Sequence, residues 1–462
     1  MTDPRRMTVS RHMTVSRHMT VSRRMTVSRR GFLRCAVVAG AAAAAAPSVI
    51  TSTALGGPGV APASERVTIG FVGVGSHGTG VNLRSFLGQP DAQAVVVCDV
   101  DAARMTAARD IVEKSYAARA RAGEFGGCGV TGDWRQVVAR PDVDAVMIST
   151  PDHWHVPIAL AAIRAGKDVI CEKPTLTVRE GRILADTVKR YGAVFQLSTE
   201  DRSVPEYHRM AELVRNGRIG RLRRIYVKLP AGPGQPGDAT PRPVPKGLDY
   251  EMWLGPAPYA PYCPARLHYN FRWVRDYSGG QLTDWGAHLL DTAQWGNDTE
   301  HTGPVEVEAE GKAHIGGVYD TYYDYRLRYR YENGAEMFVD SGGADLRFEG
   351  DDGWVGNKGW RGRLEASSPA ILNSRIGAGE LHLYTCTGGE HRNFLDCVKS
   401  RRDPYFPAEI GHRCCSVMHI GNIAMDLGRK LRWDPRAERF PDEGDGEANR
   451  MLSRPMREPW TL

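Results

Sequence analysis

From residue 67 onward the chain alternates short, wholly apolar runs with longer amphipathic stretches. Residues 67–72, 94–98, 145–149 and 168–171 are apolar throughout or nearly so, the pattern of strands buried on both faces. Between them, residues 79–87, 102–119 and 153–165 have helical spacing, and the regular alternation predicts a doubly wound parallel sheet. The pattern then changes. Residues 222–229, 305–309 and 325–331 alternate apolar with charged positions, as strands with one wet face do. Glu332-Asn333-Gly334 is a turn that folds the last of these onto residues 335–339 as a hairpin. Residues 230–264 are rich in proline and glycine and predict an ordered loop over the site. Two helices, 390–400 and 409–431, follow. The fold class expected is α/β: a doubly wound domain over 64–200, then an α+β domain with an open, mostly antiparallel sheet over 201–462.

Ahead of these lies residues 1–63, a different kind of sequence. A hexapeptide runs four times from Met7 to Arg30, MTVSRH twice and MTVSRR twice, a period far below that of solenoid repeats. It reads as a duplicated leader or an early start, with Met25 a plausible initiator. Ser28-Arg29-Arg30-Gly31-Phe32-Leu33-Arg34 and the apolar run 36–46 then form the basic head and apolar middle of an export peptide. That run is too short to span a bilayer, which takes about 20 apolar residues. The arginine pair resembles a twin-arginine signal, which implies export of a folded protein to the periplasm and removal of the signal near residue 55 or 64. The mature chain is expected to carry no stable membrane anchor.

The leader also distorts the charge. Nine arginines against Asp3 give it +8, so the formal +6 of the whole chain leaves residues 64–462 at −2. This removes the electrostatic case for a nucleic-acid partner. Nine cysteines without metal-ligand or redox spacing are expected to be mostly free, buried thiols.

Gly73-Val74-Gly75-Ser76-His77-Gly78 stands between the first predicted strand and helix, the context in which G-x-G-x-x-G lets backbone N–H groups approach a pyrophosphate. Asp99, at the end of the second strand, is the expected acid for the adenosine ribose. These residues predict a Rossmann domain that binds NAD. The Asp99 charge disfavours the 2′-phosphate of NADP, although Arg104 softens that preference and leaves NADP possible. Two more stretches lie just past predicted strands, where such sheets bind ligands. They are Thr150-Pro151-Asp152-His153-Trp154-His155 and Glu172-Lys173-Pro174, and Thr150, Pro151, His155, Glu172 and Lys173 join Gly73, Gly75, Ser76, His77, Gly78 and Asp99 as cofactor candidates.

With "STPDHWH", "CEKP" and "GGQLTDWGAHLLD", the chain resembles the Gfo/Idh/MocA oxidoreductases over nearly all of the sequence beyond the leader. The resemblance implies that Lys173 sits beside the nicotinamide and the reacting carbon, hydrogen-bonding the substrate oxygen. Asp284, His288 and Asp291 are spaced to share one helical face if Asp284 opens the helix. On that basis, and by the same resemblance, His288 is the general base and Asp284 orients it. Two other readings stand beside this. Asp284 is a helix cap and His288 a satisfied core histidine, or the three side chains hold a metal; the expectation adopted is catalysis by Lys173, Asp284 and His288 with no metal.

Trp253, Tyr269, Asn270, Arg272 and Trp273 are candidate sugar contacts, and His391, Asn393, His412, His419 and Asn422 recur without an assigned role. The function expected is hydride transfer between a sugar or polyol and a tightly held nicotinamide cofactor. An exported enzyme cannot exchange that cofactor freely, so the net reaction is expected to be redox-neutral. The alternative is an NAD-dependent glycoside hydrolase that works through transient sugar oxidation and elimination. The partners expected are a small carbohydrate, the twin-arginine machinery and further copies of the chain.

Overall fold

The computed structural model describes residues 61–462. The leader repeat, Cys35 and the twin-arginine motif lie outside the described residues. The first six strands are β1 (Val67–Val72), β2 (Ala92–Cys98), β3 (Gly129–Thr131), β4 (Ala145–Ile148), β5 (Asp168–Glu172) and β6 (Phe195–Ser198). They form one sheet in the order β3-β2-β1-β4-β5-β6, every neighbouring pair parallel. Ile69, Phe71, Val146, Met147, Val169 and Ile170 are all buried, the outcome for strands covered by helices on both faces. Strand order reverses at β1, which has β2 on one side and β4 on the other. A crevice therefore opens beyond the carboxyl ends of β1 and β4.

The helices around this sheet carry local stop and start signals. Asp101 caps Ala102–Ser115 by accepting from the backbone N–H groups of Ala103 and Arg104. Thr177 caps Val178–Tyr191, which Gly192 closes with a φ of 63°. The stretch expected as one helix over 79–87 begins instead as a wider π-helical turn, Gly78–Leu83, and only then tightens into Arg84–Leu87.

The second sheet has eight strands: β7 (Leu222–Leu229), β8 (Glu306–Ala313), β9 (Tyr322–Arg330), β10 (Glu336–Ser341), β11 (Leu346–Gly350), β12 (Gly353–Asn357), β13 (Leu364–Ala366) and β14 (Leu431–Arg432). Their order is β13-β12-β11-β7-β10-β9-β8-β14, antiparallel except where β7 meets β10. Alternation sets its two faces. Ile225, Val227, Leu229, Tyr325, Leu327 and Tyr329 point into the core, while Arg326, Arg328 and Arg330 point outward. The helices Gly286–Gly296 and Ala408–Leu427 cover the inner face, and Ala408–Leu427 also packs on Val178–Tyr191 beneath the first sheet. The helix expected to run to 431 stops at Gly428, whose φ of 59° ends it, so that Leu431 is free to pair with Val307. All eight cysteines among the described residues are free and buried.

Gly286–Gly296 does not begin at Asp284. A separate turn, Gln281–Asp284, ends at Trp285, and the three side chains meet different partners. Asp291 accepts both ends of a bidentate contact from Arg202, at 2.7 Å each, and Arg202 also donates to Glu300 at 2.7 Å. The guanidinium, 4% exposed, lies between the rings of Trp295 and Phe406. Asp291 is therefore a structural counter-ion rather than part of a metal site with Asp284 and His288. Removing one partner of such a pair strands a buried charge. Asp291→Ala should lower stability by about 3 kcal/mol, read as an earlier midpoint in urea unfolding.

Candidate functional site

The crevice opens into a cavity of about 560 Å³ walled by the strand ends and loops of the first sheet and by loops and helix ends of the second half. Its floor is the glycine turn, and the three glycines serve different ends. A Cβ on Gly73, where φ is +83°, would lie 2.6 Å from the Ser149 carbonyl, and one on Gly78 would lie 2.2 Å from the Gly73 oxygen. Those two are fixed by the protein's own packing. A Cβ on Gly75 would meet only the Arg104 guanidinium, a flexible side chain, at 2.6 Å. Gly75 is thus bare toward the crevice, as a backbone that receives a pyrophosphate has to be. At the end of β2, Asp99 accepts from the backbone N–H of Val74 at 2.8 Å and of Asp101 at 2.9 Å, while burial pushes its carboxyl up. Thr150 lines the opposite wall, and its buried hydroxyl has no hydrogen-bond partner within the protein. A bare glycine, a carboxylate at the tip of β2 and an unsatisfied hydroxyl fit a dinucleotide.

Other cofactor candidates line the same crevice but are engaged elsewhere. Ser76 and Pro151 contribute wall. The two ring nitrogens of His155 lie 2.8 Å from the carbonyls of Pro174 and Thr150, and burial lowers its pKa, so it braces those two segments. Glu172 accepts from Asn82 at 2.8 Å and pairs with His77 at 3.0 Å. Burial alone would raise the Glu172 carboxyl, but the His77 contact and the neighbouring Lys173 bring it down to about 2. The same hydrogen bond raises His77. Asn82 is itself held by His391 at 2.9 Å, which gives one of the unassigned C-terminal residues a place. His419 reaches the Thr175 carbonyl at 2.8 Å, and Asn422 donates to the Gly279 carbonyl at 3.0 Å, so the last long helix supports the site from behind. His412 pairs with Glu438 at 2.9 Å, and Asn393 donates to the Tyr384 hydroxyl at 2.8 Å.

Lys173, just past β5, projects toward the second domain. Its ammonium donates to the Asp284 carboxylate at 2.5 Å and to the Asp284 carbonyl at 2.8 Å. Arg272 donates to the other Asp284 oxygen at 3.0 Å. Burial opposes all three charges, yet the attraction wins: Lys173 and Arg272 are raised and Asp284 is lowered. The ammonium is accordingly a fixed charge and a hydrogen-bond donor, not a neutral amine.

Asp284 does not orient His288. The Nδ1 atom of His288 lies 2.9 Å from the Thr199 hydroxyl and 3.3 Å from Asp201, both just beyond β6, whereas the Asp284 oxygens are taken by Lys173 and Arg272. Spacing within the chain puts the two side chains near each other, but the cations from other segments claim both carboxylate oxygens. Nor is Asp284 a side-chain cap of Gly286–Gly296. Around His288 stand Trp285 and Trp360, ring centres 5.7 and 5.8 Å away. Of the expected sugar contacts, Tyr269 and Arg272 line the cavity and Trp253 forms wall, while Asn270 and Trp273 do not border it. Glu200, Trp285 and Trp360 border it without having been singled out. Trp285 stood within the GGQLTDWGAH stretch, but β6 and the turn after β12 left no pattern that separated them.

Because Gly75 is bare only toward the crevice, Gly75→Ala should leave thermal stability near that of the parent while weakening NAD. Crowding costs of about 1–3 kcal/mol correspond to roughly 5- to 150-fold in Kd, measurable by calorimetric titration.

Residues 67–199 match the model described as the oxidoreductase family's NAD-binding Rossmann fold, and residues 234–462 match that family's C-terminal alpha/beta domain. Levoglucosan dehydrogenase of Pseudarthrobacter phenanthrenivorans is 38% identical over 99 residues, 21% of this chain and 25% of that protein. A glycosyl hydrolase family 109 protein of Stenotrophomonas maltophilia is 27% identical over 227 residues, 47% of this chain and 48% of that one. These matches thus span a quarter to a half of those proteins. Among solved structures, GenD2 from gentamicin A biosynthesis, in complex with NAD, superposes with a TM-score of 0.58 at 21% identity, covering 80% of this chain and 97% of its own. With both halves of its folded region matched by the paired models, and with the glycine turn and Lys173 at the mouth of the sheet where its sequence motifs imply, the chain belongs to the Gfo/Idh/MocA oxidoreductase family.

Proposed function

We propose that this protein is an NAD-dependent oxidoreductase of a sugar or polyol, with Lys173 and His288 as its catalytic residues. The observation that carries the reading is the buried Lys173–Asp284–Arg272 cluster, standing with His288 in the cavity that the glycine turn floors. Bound there, a nicotinamide dinucleotide supplies the hydride acceptor or donor. Two cations against one carboxylate leave a net positive charge, which stabilises negative charge developing on a substrate oxygen. His288, whose contacts among the described residues are made through Nδ1 and leave Nε2 open, takes the hydroxyl proton. Asp284 acts through the two cations it holds in place. Trp285, Trp360 and Tyr269 offer ring faces to the apolar side of a sugar.

Likeness to the glycosyl hydrolase family 109 protein supports a second reading, glycoside cleavage through transient oxidation and elimination. A panel of free sugars, polyols and aryl glycosides separates the two: oxidised or reduced sugar as product supports the first, and release of the aryl alcohol without net redox change supports the second. Inertness toward the whole panel by protein that holds NAD would count against both.

Lys173→Ala should keep the fold and NAD affinity while lowering turnover by about 10²-fold or more, the scale of losing a positioned proton-transfer group. Turnover within a few-fold of the parent would remove Lys173 from the mechanism.

The reading includes export with the cofactor in place and a redox-neutral cycle, motivated by Arg29 and Arg30 ahead of an NAD-binding fold. Protein purified from the envelope and denatured should release NAD, and should turn over a substrate pair without added NAD. Arg29→Lys with Arg30→Lys should retain the active enzyme in the cytoplasm, since the arginines themselves are read. Normal export of that variant, or external activity dependent on added NAD, would overturn this part.

A further inference from the structure

His288 has two neighbours at Nδ1, and they make opposite demands. The Thr199 hydroxyl, at 2.9 Å, can donate to Nδ1 or accept from it. The nearer Asp201 oxygen, at 3.3 Å, belongs to a fully buried carboxylate that can only accept when ionised. A lone pair on Nδ1 facing that carboxylate would be repelled, whereas an N–H there is attracted to both oxygens. Beside an ionised Asp201, the carboxylate decides what the hydroxyl leaves open: a neutral ring carries its proton on Nδ1 and keeps its lone pair on Nε2.

The Asp201 carboxylate is itself oriented from the far side. The Trp360 indole N–H donates to it, at 3.1 Å from Oδ1 and 3.3 Å from Oδ2, and the Arg361 guanidinium stands 3.8 Å from Oδ1. Arg361 in turn pairs with Glu200 at 2.5 Å and lies over the Trp360 ring, 4.0 Å from its centre. Trp360 and Arg361 come from the turn between β12 and β13, at the edge of the second sheet. A turn at the edge of the second sheet therefore fixes a carboxylate that stands just past the last strand of the first sheet, and that carboxylate faces a histidine on a helix covering the second.

We propose that Asp201 is the positioning residue for His288, fixing the Nδ1–H tautomer so that Nε2 can accept the substrate proton, and that Trp360 holds Asp201 in the orientation this requires. The proposal deepens the reading of His288 as the base and rests on it for its consequence in turnover. The tautomer itself can be measured without any substrate.

The decisive variant is Asp201→Asn, which keeps the shape. Trp360 and Arg361 both present donors toward Oδ1, so the amide oxygen belongs at that position and the amide NH₂ at the Oδ2 position, facing His288. An NH₂ there needs an acceptor, and Nδ1 becomes one only if the ring proton moves to Nε2. Long-range nitrogen–proton NMR spectra of the histidine-labelled full chain, with the His288 signals identified by their loss in His288→Gln, should report Nδ1–H in the parent and Nε2–H in Asp201→Asn. Turnover of the variant should fall by 10²-fold or more, with NAD affinity and the apparent KM little changed, because the lost function is proton acceptance and not binding. Trp360→Phe, which removes the indole donor and keeps a ring, should give a mixture of tautomers and a smaller loss.

An unchanged Nδ1–H signal in Asp201→Asn, or an Nε2–H signal already present in the parent, would overturn the proposal. If Asp201→Asn does not fold, the tautomer in the parent and the mixture expected in Trp360→Phe decide it. Should the tautomers behave as expected while His288→Gln stays active, the positioning stands and the assignment of His288 as base falls.

Discussion

One buried carboxylate, Asp284, holds Lys173 on one oxygen and Arg272 on the other, and the chemistry of the cavity depends on that arrangement. Its three members come from two domains. Lys173 follows β5 of the parallel sheet, while Arg272 and Asp284 lie on the approach to the helix that covers the antiparallel one. Arg272 and Asp284 pair within the second half, and Lys173 joins them only when the first half is docked; leaving the buried Asp284 without its partners costs about 3–5 kcal/mol. Docking of the two halves therefore completes the site.

This explains why so much of the C-terminal region serves the N-terminal site. Ala408–Leu427 is buried along most of its length because it is packed between the two halves, and two of its polar residues, His419 and Asn422, hold segments that carry the site. His419 reaches Thr175, two residues past Lys173; Asn422 reaches Gly279, five before Asp284. His391 works in the same way through Asn82 and Glu172. In the sequence these appeared as recurring polar residues on helices and nothing more. Their meaning is a matter of which carbonyl lies opposite, and residue type does not carry that information.

Elements built on local rules were legible in the chain to within a few residues. Val67–Val72 and Leu222–Leu229 are apolar or alternating runs bounded by breakers, and the structure places them where the pattern does. The glycine turn and the lysine after β5 were legible too, because a tight turn between strand and helix and the end of a parallel strand are positions with a fixed geometric use. The partner of His288 was not. Spacing of four residues pointed to Asp284, but spacing says nothing of the groups other segments bring up, and Lys173 and Arg272 take both of its oxygens. Asp201, 87 residues earlier in the chain, has no local feature that would have nominated it.

The charge balance at the reacting end depends as much on a carboxyl whose ionisation is resisted as on those that ionise. Asp152 lines the same cavity, and burial pushes its carboxyl up to about 7 despite a 2.6 Å hydrogen bond from Ser278 and the nearness of Arg272 and Lys173. Asp284 is part of the reason, since two neighbouring carboxylates resist joint ionisation. Asp284 wins the competition because it touches both cations, while Asp152 touches a hydroxyl. Below about pH 7 the cluster therefore keeps two positive charges against one negative. A second ionised carboxylate would cancel the excess that favours a developing alkoxide. The two aspartates are alike in burial and differ in their partners, so the electrostatic character of the cavity depends on which cations the docked domains bring to each carboxyl.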